Sequence, residues 1–168
     1  MGRAKQHIVV GDESMGQAAI AIGHECCEIV VVAGPADAMQ AQQCVADLPE
    51  HTGMGPLAGI EAVLASGLAS RWLIIPCDMP GLDACALQQL LDVEDPVACL
   101  GNPQAAEDRL QLPLAIDATL LRSVREFLKS DRRSIGAWLE SVDARIVMQA
   151  EAFQAQNVNA PEDLPGGS

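Results

Sequence analysis

The run Glu28-Ile-Val-Val-Val-Ala33 constrains this chain more than any other feature. It is β-branched and continuous rather than alternating, as a strand covered on both faces should be. Residues 72–75 (Trp-Leu-Ile-Ile) read the same way, and residues 96–100 form a weaker third run. Residues 145–148 predict a late strand and residues 110–116 another, where Pro113 points to a sheet edge or a bulge. Helices are predicted between these runs. Residues 14–22 are rich in Ala and meet Gly23, which fits a C-terminal cap. Residues 56–69 carry Pro56 in the first turn, where a missing N–H costs nothing. Residues 83–91 open on a capping Asp83. Residues 117–129 place Leu120, Leu121, Val124, Phe127 and Leu128 on one face. Strands alternating with helices imply an α/β fold with a mostly parallel sheet covered on both sides.

The chain has 168 residues, enough for one domain. We expect that domain over residues 1–164, with a loose tail at residues 165–168. A formal net charge of −13 argues against bulk nucleic acid, whose non-specific binding needs Lys and Arg to neutralise phosphates. It leaves room for a small anionic ligand in a local patch of positive potential. No apolar run approaches the length of a membrane span, and residues 8–10 are too short for a signal-peptide core, so a cytoplasmic location is expected. Cys26, Cys27, Cys44, Cys77, Cys85 and Cys99 are irregularly spaced without a CxxC pair. They read as small buried apolar residues in a reducing compartment.

In folds of this class, ligands bind beyond the C-terminal ends of the strands. Two loops stand there. Pro76-Cys-Asp-Met-Pro80 follows residues 72–75 directly, and Asp78 at a strand tip can hold Mg²⁺ with a nucleotide's phosphates. The bland alternative is that Asp78 caps a turn. Gly53-Met-Gly-Pro-Leu-Ala-Gly-Ile60 formally matches the dinucleotide fingerprint, but residues 48–52 are not a buried strand, so that reading is rejected. What survives is a glycine-rich entry to a helix, able to approach an anion closely, or simply a tight packing loop. Arg122, Arg125, Lys129, Arg132 and Arg133 hold half of all Lys and Arg. They read as a solvated helix face, or as a patch for a phosphorylated ligand or acidic partner. His7, His24 and His51 lack ligand spacing and read as structural or surface residues. No set of nucleophile, base and orienting residue is visible, which suits chemistry driven by metal and positioning.

Gly55-Pro-Leu-Ala-Gly-Ile60, Pro76-Cys-Asp-Met-Pro80 and Asn157-Val-Asn-Ala-Pro-Glu-Asp-Leu164 occur in that order. Together they resemble the molybdenum cofactor guanylyltransferases, nucleotidyltransferases of the nucleotide-diphospho-sugar transferase type. The resemblance implies a Rossmann-like three-layer α/β/α sandwich. It implies transfer of GMP from GTP to molybdopterin with Mg²⁺, releasing pyrophosphate. It implies that Asp78 is the metal ligand and, with Lys5, catalytic. Lys5, Asp47, Gly55 and Asp78 would then line the nucleotide site, with Asp47 near the guanine base. Asn157 and Asn159 would bind the pterin substrate. Arg3 and Lys5 would face the phosphates. Proteins that deliver or accept the cofactor are the further partners implied, with no nucleic acid and no membrane.

The family opens on a buried strand and a loop of the type Leu-Ala-Gly-Gly-x-Ser-x-Arg-Met-Gly-x-x-Lys. Met1-Gly-Arg-Ala-Lys5 fits only its end. Ala4 and Ala160 stand where the family usually has Asp and Thr. The absent strand is expected in mid-sheet, and without it two strand edges and apolar helix faces would be exposed. We expect an apolar strand and a Leu-Ala-Gly-Gly-like turn to be encoded upstream of Met1. The alternatives are a truncated or degenerate homologue that serves as a non-catalytic binding module, or a cytidylyltransferase of the same family.

Overall fold

The computed structural model describes residues 9–10, 13–35, 43–79, 82–101 and 112–148. A short antiparallel hairpin comes first, β1 (Val9–Val10) with β2 (Glu13–Ser14). Ser14 then starts α1 (Met15–Cys26) through a capping box, its hydroxyl taking the Gln17 N–H while the Gln17 side chain takes the Ser14 N–H. The expected stop at Gly23 is corrected. Gly23 lies buried inside α1, where a Cβ would sit 3.4 Å from Val30, so the residue serves packing and not capping.

β3 (Val31–Ala33) takes up the second half of the 28–33 run. It pairs in parallel with β4 (Gln43–Val45), a strand too short and polar to be predicted. A 3₁₀ turn (Pro49–His51) leads to α2 (Pro56–Ala65), which ends four residues earlier than expected. After β5 (Arg71–Ile74) comes α3 (Ala84–Leu91), capped by Asp83 as predicted. Then follow β6 (Val97–Gly101), β7 (Leu114–Asp117), a 3₁₀ turn and α4 (Leu121–Lys129). α5 (Ile135–Ser141), which the sequence reading missed, precedes β8 (Arg145–Met148).

The main sheet has the order β5-β7-β6-β8. β6 and β8 are parallel, whereas β7 is antiparallel to both neighbours. Here Pro113 misleads: β7 is interior to the sheet, neither edge nor bulge. Pro113 sits just before the first ladder residue and needs no N–H there, while its carbonyl accepts from Leu100 N at 3.4 Å.

Period-two alternation divides the core into two faces. Trp72, Val97, Cys99, Leu114 and Ile116 pack with Leu57 and Ile60 of α2, Val124 and Leu128 of α4, and Trp138 of α5. Ala98, Leu100 and Ala115 face Ala86 and Leu90 of α3 on the other side. The result is the expected three-layer α/β/α arrangement. Each fully buried Leu or Ile contributes roughly 1.5–3 kcal/mol. Among the described residues, β3 pairs only with β4 and β5 only with β7, so each of the two has one edge without a strand partner. Among the described residues, no helix is long and apolar enough to cross a membrane.

None of the six cysteines is in a disulfide, but only Cys99 is fully buried and Cys85 is exposed, which corrects the expectation of buried thiols. Arg3, Lys5, His7, Asn157, Asn159, Ala4, Ala160 and the 165–168 tail lie outside the described residues.

Candidate functional site

A cavity of about 1500 Å³ opens between the two sheets and is lined by both β3 and β5. Three sequence-predicted residues meet in its wall: Asp47 just after β4, Gly55 before α2, and Asp78 just after β5. The first and last are 31 positions apart along the chain, and the fold places both on the wall of one cavity.

The Asp47–Gly55 loop is closed from within. Asp47 Oδ2 accepts the Gly53 N–H at 3.0 Å. His51 N–H donates to the Leu48 carbonyl, and the His51 carbonyl accepts from Met54 N, each at 3.0 Å. Gly55 has φ +84, a left-handed conformation that a side chain would strain, and Pro56 occupies the first helical position beyond it. Gly59, one turn into α2, is needed for a different reason. A Cβ there would stand 3.2 Å from the Ala33 Cβ, so its absence lets α2 lie close on β3.

Asp78 lies in the turn after β5, partly buried. The described lining carries four carboxylates (Glu28, Asp47, Asp78, Glu140) and two guanidinium groups (Arg71, Arg133). Arg71 is engaged by Asp117 Oδ1 at 2.7 Å and by the carbonyl of Val93 at 2.6 Å. An acidic lining of this kind suits an anion that arrives with a divalent cation better than a bare anion. No group of three or more His, Cys, Asp or Glu side chains among the described residues could hold a metal ion alone. The cavity wall does carry the carboxylates of Asp47 and Asp78, the donor type of which Mg²⁺ commonly takes one or two beside substrate phosphates and water.

The basic stretch is not one solvated face. Arg122 pairs with Glu126 in solvent, but Arg125 reaches the buried Glu61 at 3.0 Å. Arg132 stacks over the Phe127 ring at 4.5 Å. Arg133 lines the cavity and bonds Asp131 at 3.0 Å. The adjacent Arg132-Arg133 pair was the signal for a cation beside the cavity, and helix periodicity alone could not say which Arg lines it. Glu61 carried a clearer signal, as the single charged residue of the otherwise apolar α2. His51, read as a structural or surface residue, is buried against it.

A family model described as a MobA-like NTP transferase domain matches residues 1–146. A probable molybdenum cofactor guanylyltransferase of Opitutus terrae is 27% identical, across 97% of this chain and 86% of that protein. A molybdenum cofactor guanylyltransferase of Shewanella putrefaciens is 30% identical across 68% of this chain and 60% of its own length. The chain's match thus spans about three fifths of that relative. Among solved structures, molybdopterin-guanine dinucleotide biosynthesis protein A from Archaeoglobus fulgidus superposes with a TM-score of 0.71 at 17% identity, covering 95% of this chain and 86% of that one. The 2-C-methyl-D-erythritol 4-phosphate cytidylyltransferase of Thermus thermophilus gives a TM-score of 0.72 at 14% identity, covering 95% and 89%. At such identities the likeness of the two structures is one of fold.

Proposed function

The chain belongs to the MobA-like NTP transferase family, a family of nucleotidyltransferases, and on that premise we propose that it transfers GMP from GTP to molybdopterin. The observation that carries the reading is the convergence of Asp47, Gly55 and Asp78 on one cavity beyond the ends of β4 and β5. In this reaction a phosphate oxygen of molybdopterin attacks the α-phosphorus of GTP. A new P–O–P bond forms and pyrophosphate leaves with the electron pair of the broken bond. Catalysis of that kind is mainly positioning and charge stabilisation.

The residues divide the work as follows. The left-handed Gly55 and the N-terminal turn of α2 let backbone approach the phosphates. Asp47 closes the loop beside the base. Asp78 would hold Mg²⁺, which when bound neutralises charge developing on the pyrophosphate. Lys5 adds a second positive charge to the phosphates, and Asn157 and Asn159 hold the pterin acceptor. Proteins that deliver or take up the cofactor are its further partners, and a cytoplasmic location belongs to the same proposal.

The test is calorimetric titration of the chain with Mg-GTP and Mg-CTP, followed by product analysis with molybdopterin. Micromolar GTP binding, about tenfold tighter than CTP, supports the guanylyl reading. Preference for CTP makes the chain a cytidylyltransferase instead. Absence of binding to either nucleotide overturns the proposal.

A further inference from the structure

An ionisable cluster lies directly behind the Asp47–Gly55 loop. Glu61 of α2 is 2% exposed. Its Oε2 stands 2.6 Å from His51 Nδ1, and its Oε1 accepts from Arg125 Nε at 3.0 Å. The carboxylate oxygens of Glu61 thus face one partner each, the His51 ring and the Arg125 guanidinium. His51 is itself buried, at 8% exposure. One carboxylate therefore joins three elements: the 3₁₀ turn within the loop, α2 and α4.

A buried carboxylate is costly unless its oxygens are paired, and here both are. An apolar residue would fill the same place in α2 without that demand, so the group invites an explanation other than packing. His51 supplies one. Its backbone bonds both Leu48 and Met54, so the ring anchored to Glu61 sits at the hub of the loop that ends in Gly55. Arg125 completes the anchor from α4, where 42% side-chain exposure keeps its own charge solvated.

We infer that Glu61 is a positioning residue that fixes the Asp47–Gly55 loop through His51. The loop is thereby held against α2 and α4 at one height over the cavity. Its consequence for nucleotide binding rests on the function proposed above, whereas the anchoring itself can be read without any ligand.

The test is amide hydrogen exchange on the ligand-free chain carrying Glu61→Gln or His51→Phe. Amides of residues 51–55 should exchange about tenfold faster or more in both variants, with β6 and β7 at wild-type rates. Wild-type loop exchange in either variant overturns the inference. Should Glu61→Gln fail to fold, His51→Phe, which retains the Glu61–Arg125 pair, decides the matter alone. In the nucleotidyl transfer assay, both variants should raise KM for GTP about tenfold at unchanged kcat. A loosened loop with unchanged KM overturns the positioning role. A wild-type chain that binds no GTP overturns the proposed function, and the exchange result then decides the anchoring by itself.

Discussion

Asp47 Oδ2 accepts the backbone N–H of Gly53 at 3.0 Å, so the carboxylate nearest the glycine loop is also the latch that closes it. Two roles of Asp47 can be separated by that geometry. Asp47→Asn keeps an oxygen acceptor for Gly53 and should leave stability within about 0.5 kcal/mol of wild type. Asp47→Ala removes the acceptor and should cost about 1–2 kcal/mol. If Asp47 also recognises the base, both variants should lose discrimination between GTP and CTP, the Asn variant doing so without the loss of stability. Urea titration and competitive nucleotide binding read the two effects.

Asp78→Ala should reduce Mg-dependent turnover by about 10²-fold or more, because it removes the carboxylate proposed to hold the ion beside the leaving group. Its circular dichroism should remain that of a folded chain, so that the loss is read on folded protein. Wild-type turnover in this variant would remove Asp78 from the metal site.

Gly59→Val should destabilise the fold by about 1–3 kcal/mol, since its Cβ alone already presses on Ala33. Ala33→Gly in the same chain should recover part of the loss, because the clash is between these two positions. Equal losses with and without Ala33→Gly would place the strain elsewhere.

Arg71→Lys should lower the urea midpoint at unchanged slope. Arg71 holds the carbonyls of Leu90, Val93 and Asp95 together with Asp117, joining the end of α3 to β5 and β7. A single ammonium cannot span those acceptors. The Arg71–Asp117 side chains are 24% and 29% exposed, so solvent screening limits the loss to about 1–2 kcal/mol.

Thiol labelling should follow burial. Desolvation pushes the Cys99 thiol up to about 11 and raises Cys26 and Cys27 as well. A raised thiol pKa leaves less thiolate near pH 8, so these groups react more slowly. Cys85, the exposed cysteine, should be alkylated first and Cys99 last. Mass mapping after timed iodoacetamide treatment checks the order.

Much of the candidate site was legible locally. Pro76-Cys-Asp-Met-Pro80 and the Gly53–Gly55 loop were recognisable because strand-end chemistry depends on residues that are neighbours in the chain. The failures were equally local in origin. Pro113 was read as an edge marker because periodicity contains no record of which strands lie on either side. Gly23 looked like a stop signal because sequence does not show Val30 packed against it. α5 was missed although Ser134 caps it and Ile135, Trp138 and Leu139 share a face, since seven residues make a weak periodic signal.

The sequence by itself determined the alternation of strands and helices, the covering of apolar runs on both faces and the loops that follow the strands. Those follow from side-chain periodicity and turn chemistry, which act over a few residues. Tertiary structure decided the strand order, the reversal of β7, the meeting of Asp47, Gly55 and Asp78, and the burial of Glu61 between His51 and Arg125. Each of these depends on contacts between residues far apart in the chain. Arg125 and Glu61 are 64 positions apart, and nothing in the spacing of either helix announces that one will satisfy the other.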